Sequence, residues 1–273
     1  MTLSALLSPL PALIAELTVC AALFAGLALA VKGRRRALAD ADAAVGDARI
    51  NLVLAVVDRL AVAPVIVALT TGAVVVARDA GFLGANAWLG GLWPPLALLL
   101  AVIVGDFTGY WRHRAQHSRW LWPAHAVHHS DRHLHWLSLE RMHPVDRLGT
   151  AVDTIVLGAL GFPAWALVGN ALVRHYYGYA IHADAPWTFG RASWVLNSPA
   201  MHRWHHAREI TTGCNFATVF SVWDRMFGTY HQPGPCDVPL GIDEEMGEGA
   251  LGQYAHPFKA WWAALSRKDR ALA

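Results

Sequence analysis

Charged residues are scarce in this sequence of 273 residues, since Asp, Glu, Lys and Arg together make up only 15% of it. Hydrophobic residues make up 55% and the mean hydropathy is +0.32, whereas about 45–50% apolar residues are usual for a soluble domain. So few charges cannot cover a globular surface, and we expect lipid to be the solvent for much of the chain. The net charge of +2 is too small to indicate nucleic acid as a partner.

Cysteine is also rare. Cys20, Cys214 and Cys236 lie far apart and fit neither a metal-binding spacing nor a disulfide framework. The N-terminus lacks the basic region and the small-residue cleavage site of a signal peptide. We therefore expect the first apolar stretch to be retained as a membrane anchor.

In contrast to the few charged residues and cysteines, the sequence contains long apolar stretches. They cover residues 10–31, 50–77, 80–105 and 148–173, and a helix crosses a bilayer with roughly 20 residues. Pro94 and Pro95 are well placed to open a helix, and the sequence Gly-Phe-Pro at 161–163 predicts a break into two short helices that form a hairpin. The predicted fold class is an all-α, polytopic membrane protein with about four transmembrane regions.

The basic cluster at residues 32–36, Lys-Gly-Arg-Arg-Arg, directly follows the first apolar stretch. Positive charge marks the cytoplasmic side of a membrane helix. The orientation that follows places the segments after the third and the fourth apolar regions in the cytoplasm, and residues 185–273 as a cytoplasmic cap. The alternative is that the cluster is only a solvated run of charge.

Three histidine-rich motifs fall on this cytoplasmic side. Two histidines are four residues apart in the first motif, and the other two motifs repeat the spacing His-x-x-His-His, so each set shares a helix face. Neutral imidazole is the commonest side-chain metal ligand, and helical bundles build metal sites from such spacings. The eight imidazoles are enough for two metal ions. They are His113 and His117, then His125, His128 and His129, and finally His202, His205 and His206.

The type of metal stays open on ligand chemistry alone. The motifs contain no glutamate, and the sequence has no His-Glu-x-x-His, which argues against a zinc protease. A set of imidazoles suits iron, zinc, copper or nickel.

The sequence around these motifs resembles the fatty acid hydroxylase/sterol desaturase superfamily of integral-membrane, non-haem di-iron oxygenases. The resemblance covers about residues 106–230, under half of the chain. It implies a cytoplasmic histidine-rich di-iron cap with two iron ions as cofactor and O₂ as co-substrate. The implied reaction is hydroxylation or desaturation of an unactivated C–H bond in a lipid. The segments that carry the resemblance are DFTGYWRHRAQH (106–117), HAVHHS (125–130), RMHPVD (141–146), NSPAMHRWHH (197–206) and NFATVFSVWDRMFGTY (215–230).

The resemblance assigns metal-binding roles to all eight motif histidines and to His182, at the end of the fourth apolar region. Fatty acid 2-hydroxylases carry two histidines four residues apart there, but Gly178 occupies the second position in this chain. His175 is a possible metal ligand in its place. We expect Asp106 and His143 to support the ligands through hydrogen bonds, and no catalytic residue beyond the metal centre.

The predicted organisation has three parts. Residues 1–47 form a membrane anchor and basic loop, residues 48–231 the di-iron oxygenase core, and residues 232–273 a cytoplasmic C-terminal tail. The predicted setting is a bacterial inner membrane with the metal site in the cytoplasm. Electrons are expected from an external ferredoxin- or cytochrome-type reductase system. Two alternatives stay open, a non-catalytic membrane metal-binding protein and a metal transporter, although a transporter needs ligands within its spans.

Overall fold

The computed structural model describes residues 7–81, 87–209 and 213–271. These residues form helices and loops without a named strand, and the one isolated bridge among them joins Ala207 to Leu240, so the predicted all-α class is confirmed. The helices are α1 (Leu10–Lys32), α2 (Arg34–Val57), α3 (Ala63–Asp79), α4 (Pro94–Gln116), α5 (Trp122–His129), α6 (Pro144–Gly149), α7 (Ala151–Ala159), α8 (Ala164–His182), α9 (Pro199–His205), α10 (Val222–Met226) and α11 (Gly249–Ala271). Shorter turns are a π-helical turn (Asp58–Val62), a helical turn (Ala87–Gly90) and two 3₁₀ helices (Trp136–Glu140 and Gly190–Trp194).

Three helices of the described part are long and apolar enough to cross a membrane: α1, the continuous helix Arg34–Asp79 and α4. The second of these has 46 residues because α2, the π-helical turn and α3 follow one another without a break. It passes through the domain boundary that the sequence predicts at residue 47. The third begins at Pro94, as the paired prolines predict, and not at residue 80; residues 82–86 of that predicted region lie outside the described residues.

The fourth apolar region is a helical hairpin, as the Gly-Phe-Pro sequence predicts. α7 ends at Ala159 and α8 begins at Ala164, and Gly161 between them has φ +94°, which favours glycine. Arg78 of α3 donates hydrogen bonds to the carbonyl oxygens of Gly158 and Phe162, at 3.0 and 2.9 Å. Neither arm of the hairpin is among the three candidate spans of the described residues.

Two glycines of α4 let α8 pack closely against it. A Cβ atom on Gly105 would lie 2.5 Å from Oδ1 of Asn170, and one on Gly109 would overlap the guanidinium of Arg174. Small residues four apart are a common means of close helix approach in membranes. The contact brings the C-terminal ends of α4 and α8 together, and both ends carry histidines of the predicted metal centre.

Candidate metal centre

The structure brings all nine predicted ligand histidines together in two groups. Within each group, one ring nitrogen from every member lies within 4.8 Å of those of the others. Seven of the nine side chains are buried, while the first two, at the end of α4, are partly buried. Group 1 contains His113, His117, His125, His129 and His205, and group 2 contains His128, His182, His202 and His206.

In the structure, each His-x-x-His-His motif is divided between the two groups. On α5, His125 and His129 belong to group 1, whereas His128, three residues after His125, belongs to group 2. The motif at the end of α9 is divided the other way: His202 and His206 belong to group 2, and His205 belongs to group 1. The two groups adjoin, because the stacked rings of His129 and His206 have centroids 4.4 Å apart.

Hydrogen bonds to four backbone carbonyls and one carboxylate fix the tautomers of five imidazoles. When Nδ1–H donates to a carbonyl or carboxylate oxygen, the neutral ring keeps its lone pair on Nε2, so Nε2 points into the group as an acceptor. Metal-binding histidines are usually held by such outer hydrogen bonds. The pairs are His113 with Phe216 O (2.7 Å), His205 with Cys214 O (2.7 Å), His182 with Gly178 O (2.7 Å), His128 with Arg141 O (3.3 Å) and His125 with Asp146 Oδ2 (3.1 Å).

The inward nitrogens lack protein partners that could satisfy them. Nε2 of His113 lies 3.0 Å from Nε2 of His125, and Nε2 of His128 lies 3.2 Å from Nε2 of His182. All four rings carry their proton on Nδ1. Each contact therefore places two unprotonated Nε2 atoms, both of which are acceptors, next to each other. A cation between each pair would satisfy both lone pairs, and the donor sets therefore fit metal ions. Four further ring nitrogens are buried without a hydrogen-bond partner: Nδ1 of His129, His202 and His206, and Nε2 of His205.

Burial keeps several imidazoles of the two groups neutral. Burial, and then the neighbouring imidazoles, lower the pKa values of His128, His129, His202 and His206 well below the usual range for histidine. Burial likewise lowers the pKa of His205 to about 3. Neutral imidazole is the form that binds metal, so these side chains are ready to coordinate at pH 7.

A chain of buried polar groups leads away from group 1. Asp146 accepts from His125 through Oδ2 and from Gln116 through Oδ1. Oε1 of Gln116 accepts from Arg112 at 2.7 Å, and Arg112 also pairs with Asp153 at 3.2 Å. These hydrogen bonds connect group 1 to the hairpin of α7 and α8, because Asp153 is on α7.

Replacing Asp146 by asparagine should weaken group 1 without abolishing it. The asparagine keeps the shape of the side chain but removes the negative charge that supports the Nδ1–H of His125, and such losses typically cost 10–100-fold in metal affinity or activity. Iron titration of the variant measures the effect. Asp243→Asn is the matched control, because the side chain of Asp243 is 84% exposed. Unchanged iron affinity in Asp146→Asn would contradict the role.

Asp106, which we expected to support a ligand directly, acts at a greater distance. Asp106 lies seven residues before His113, which is roughly 10 Å along a helix, and it contacts no imidazole. Its carboxylate accepts from the backbone N–H groups of Val219 and Phe220, at 3.0 and 2.8 Å, and so holds the loop whose residue Phe216 accepts from His113.

His143 caps the first turn of α6 and does not contact the two groups through a hydrogen bond. Its Nδ1 accepts from the backbone N–H of Val145 at 3.2 Å, and its Nε2 donates to the carbonyl oxygen of Tyr254 at 3.3 Å. It therefore holds the helix that carries Asp146.

His175 lies outside both groups. Its Nε2 is 3.0 Å from Oε1 of Glu16 on α1. At Gly178, a Cβ atom would lie 2.9 Å from the side chain of Leu139. Leu139 therefore occupies the space next to the position where fatty acid 2-hydroxylases carry their second histidine.

Sequence reasoning did not single out Asp146, which is the carboxylate that contacts a group 1 histidine. A signal was present, because Asp146 ends the segment RMHPVD that carries part of the resemblance. The carbonyl oxygens of Phe216, Cys214 and Arg141 were also missed, and no side-chain pattern could reveal them.

A cavity of about 540 Å³ reaches both groups, a volume typical of ligand pockets. Five group members line it, two of group 1 and three of group 2, and side chains of α3, α4, α7 and α8 line much of the remainder. The five are His113, His125, His128, His182 and His202. A larger cavity of about 870 Å³ lies between α1, α2 and the loop at 132–137, and no member of the two groups lines it.

Residues 98–229 match the family model described as Fatty acid hydroxylase. This match contains all nine histidines of the two groups. The resemblance predicted from the sequence motifs is thereby confirmed.

Curated relatives extend this finding. The chain is 32% identical over 187 residues to ornithine lipid hydroxylase OlsE of Rhizobium tropici, which covers 65% of this chain and 54% of that protein. It is 27% identical over 174 residues to alkylglycerol monooxygenase of Caenorhabditis elegans (63% and 34%) and 32% identical over 140 residues to methylsterol monooxygenase 2-2 of Arabidopsis thaliana (48% and 51%). The chain thus spans between about a third and about a half of the length of these relatives. No solved structure matches it.

These relatives are named as a hydroxylase and as monooxygenases, which are oxidoreductases. The names agree with the enzyme class that the sequence predicts. The three candidate spans support an integral membrane protein.

Proposed function

We propose that this protein is a di-iron monooxygenase that hydroxylates or desaturates an unactivated C–H bond of a lipid, with O₂ as co-substrate. The observation that carries the proposal is the pair of adjoining imidazole groups, nine histidines in all, five of which line a cavity that apolar side chains of α3 and α8 also line. The relatives support a lipid substrate, because their names specify an ornithine lipid, an alkylglycerol and a methylsterol.

Two bound iron ions would supply the activation of O₂ and the cleavage of the C–H bond. The nine imidazoles would hold the ions in the two groups. The outer hydrogen bonds, such as that of His205 to Cys214 O, keep the rings oriented with their lone pairs inward. Seven of the nine rings are buried, which limits their contact with water, and the cavity would orient the lipid against them.

We propose further that the centre faces the cytoplasm of a bacterial inner membrane and receives electrons from a ferredoxin- or cytochrome-type partner. Exposed arginines at 34–36, directly after α1, support this orientation. Reporter fusions after residue 40 and after residue 273 should therefore both show a cytoplasmic location. A periplasmic signal from the C-terminal fusion would put the centre out of reach of cytoplasmic reductants.

Metal content and product formation test the proposal together. Purified protein reconstituted with ferrous iron should hold about two irons per chain, as the two donor sets imply. Expression in a host that lacks the protein should produce a lipid with one added oxygen or two fewer hydrogens, detected by mass spectrometry of the lipid extract. A single tightly held zinc with no iron, and an unchanged lipid extract, would favour a non-catalytic metal-binding protein.

A further inference from the structure

α11 presents a stripe of large apolar side chains away from the helices that it packs against. The spacing of seven, four and three residues places the four members on one face of the helix. The opposite face carries the buried Gln253 and packs against α5 and α2. An exposed apolar surface of this kind marks a site of interaction with a protein or a membrane. The α11 stripe consists of Leu251, Phe258, Trp262 and Leu265, which are 83%, 59%, 74% and 52% exposed.

Neither the family match nor the cavities account for the α11 stripe. α11 (Gly249–Ala271) lies beyond residues 98–229, which match the family model. None of its described residues lines either of the two cavities. The stripe is therefore separate from the metal centre and from the proposed lipid site.

A hydrogen bond holds α11 at the level where α4 ends. α4 has 23 residues, which rise about 34 Å and match a hydrocarbon core of about 30 Å. Its last residue, Gln116, therefore marks the membrane surface. Trp120 follows four residues later, and its carbonyl oxygen accepts from Nε1 of Trp261 at 2.9 Å. Trp261 of α11 is thus held close to the membrane surface.

The contact between α11 and α6 gives the same level. Nε2 of His143, which precedes α6, donates to the carbonyl oxygen of Tyr254 at 3.3 Å. Arg147 of α6 pairs with Asp58 at 3.1 Å, and the uncharged stretch 60–77 begins two residues after Asp58. Because charged side chains avoid hydrocarbon, this ion pair lies at the edge of the bilayer, and Tyr254 of α11 lies beside it.

We propose that α11 lies in the plane of the membrane surface at which α4 ends, and that the α11 stripe inserts among the headgroups and upper acyl chains of the lipids. Tyr254 and Trp261 are two turns apart and both lie at this surface, so the helix axis runs along the bilayer. Amphipathic helices bury their apolar faces about 5–10 Å into this boundary, and tryptophan rings favour the same depth.

The bilayer is the occupant that the contacts favour, because it already surrounds α4 at this level. Trp120 adjoins α11 there and is itself 46% exposed. Lys259, next to Phe258 in sequence, is also exposed and lies at the edge of the stripe, where its ammonium would reach lipid phosphates. The inference rests on α4 as a membrane span and is independent of the metal centre.

Spin labelling locates the α11 stripe relative to the bilayer. The full chain, with Cys20, Cys214 and Cys236 replaced by serine, carries one nitroxide on an introduced cysteine in nanodiscs of phosphatidylcholine and phosphatidylglycerol. Electron paramagnetic resonance compares collisions with O₂, which concentrates in hydrocarbon, and with a nickel chelate, which stays in water. The ratio of O₂ to nickel collisions should be several-fold higher in Trp262→Cys than in Ala263→Cys. Ala263 is the matched control, because it is exposed but points about 100° away around the helix.

Phe258→Cys, in the same stripe, should repeat the result of Trp262→Cys, so that one misfolded variant does not decide the outcome. Frequent collisions with the nickel chelate at both positions would place the stripe in water and overturn the proposal. Few collisions with either reagent, together with dipolar broadening between labels, would place a second copy of the chain on the stripe and also overturn it. Neither iron nor turnover is needed, so failure of the proposed function would leave this result unchanged.

Discussion

Replacement of His128 by alanine should lower the iron content of the reconstituted protein from about two to about one per chain and abolish product formation. His128 is one of the four members of group 2, and its ring is buried with 5% of its surface exposed. The substitution leaves three imidazoles and an open coordination position. Since losses of supporting groups alone cost 10–100-fold, loss of a ligand should lower turnover by more than about 100-fold.

His133→Ala is the control for this substitution. His133 lies close to His128 in sequence, but its side chain is 47% exposed and contacts Asp47 at 2.8 Å, outside both groups. It should keep its iron and activity. Thermal melting of the metal-free variants separates loss of a ligand from loss of the fold. A His128→Ala protein with two irons and normal turnover would remove group 2 from the proposed centre.

His182→Ala should behave like His128→Ala, whereas His175→Ala should retain iron and most activity. His182 Nε2 lies 3.0 Å from His202 Nε2 and 3.2 Å from His128 Nε2, so its removal opens the same group. His175, two turns earlier on α8, pairs with Glu16 instead. Iron analysis and product formation are measured on both variants.

The two substitutions serve as controls for each other, because both remove an imidazole from the same helix. Spectroscopy of iron-loaded protein adds a readout of the coordination itself: the spectrum should change in His182→Ala and stay unchanged in His175→Ala. Loss of iron in His175→Ala with full iron in His182→Ala would mean that α8 is rotated to present the other histidine.

The sequence predicts the helices and the clustering of the histidines well, because both leave periodic or compositional signals. Pro94 and the Gly-Phe-Pro sequence at 161–163 mark helix ends through local backbone chemistry, and the structure confirms both. The His-x-x-His-His spacing predicts which side chains share a helix face. It does not predict that His125 and His128 would serve different groups, because that depends on how α5 is rotated against α9.

The hydrogen bonds that hold the histidines in place depend on tertiary packing, and they leave weaker signals in the sequence. Asp106 lies on the same helix as His113, and proximity in sequence suggests a direct contact, but the carboxylate holds the loop at 219–220 instead. Asp146 reaches His125 only because α6 packs beside α5.

The division of each histidine motif between the two groups determines when, during synthesis of the chain, the donor sets become complete. Group 1 requires His205, and group 2 requires His202 and His206, which leave the ribosome after every other member. Neither donor set is complete until about three quarters of the chain has been synthesised and α9 has docked against α5. A metal held by either group would therefore bind only after α9 has been made, and a chain that ends before residue 202 would hold neither set.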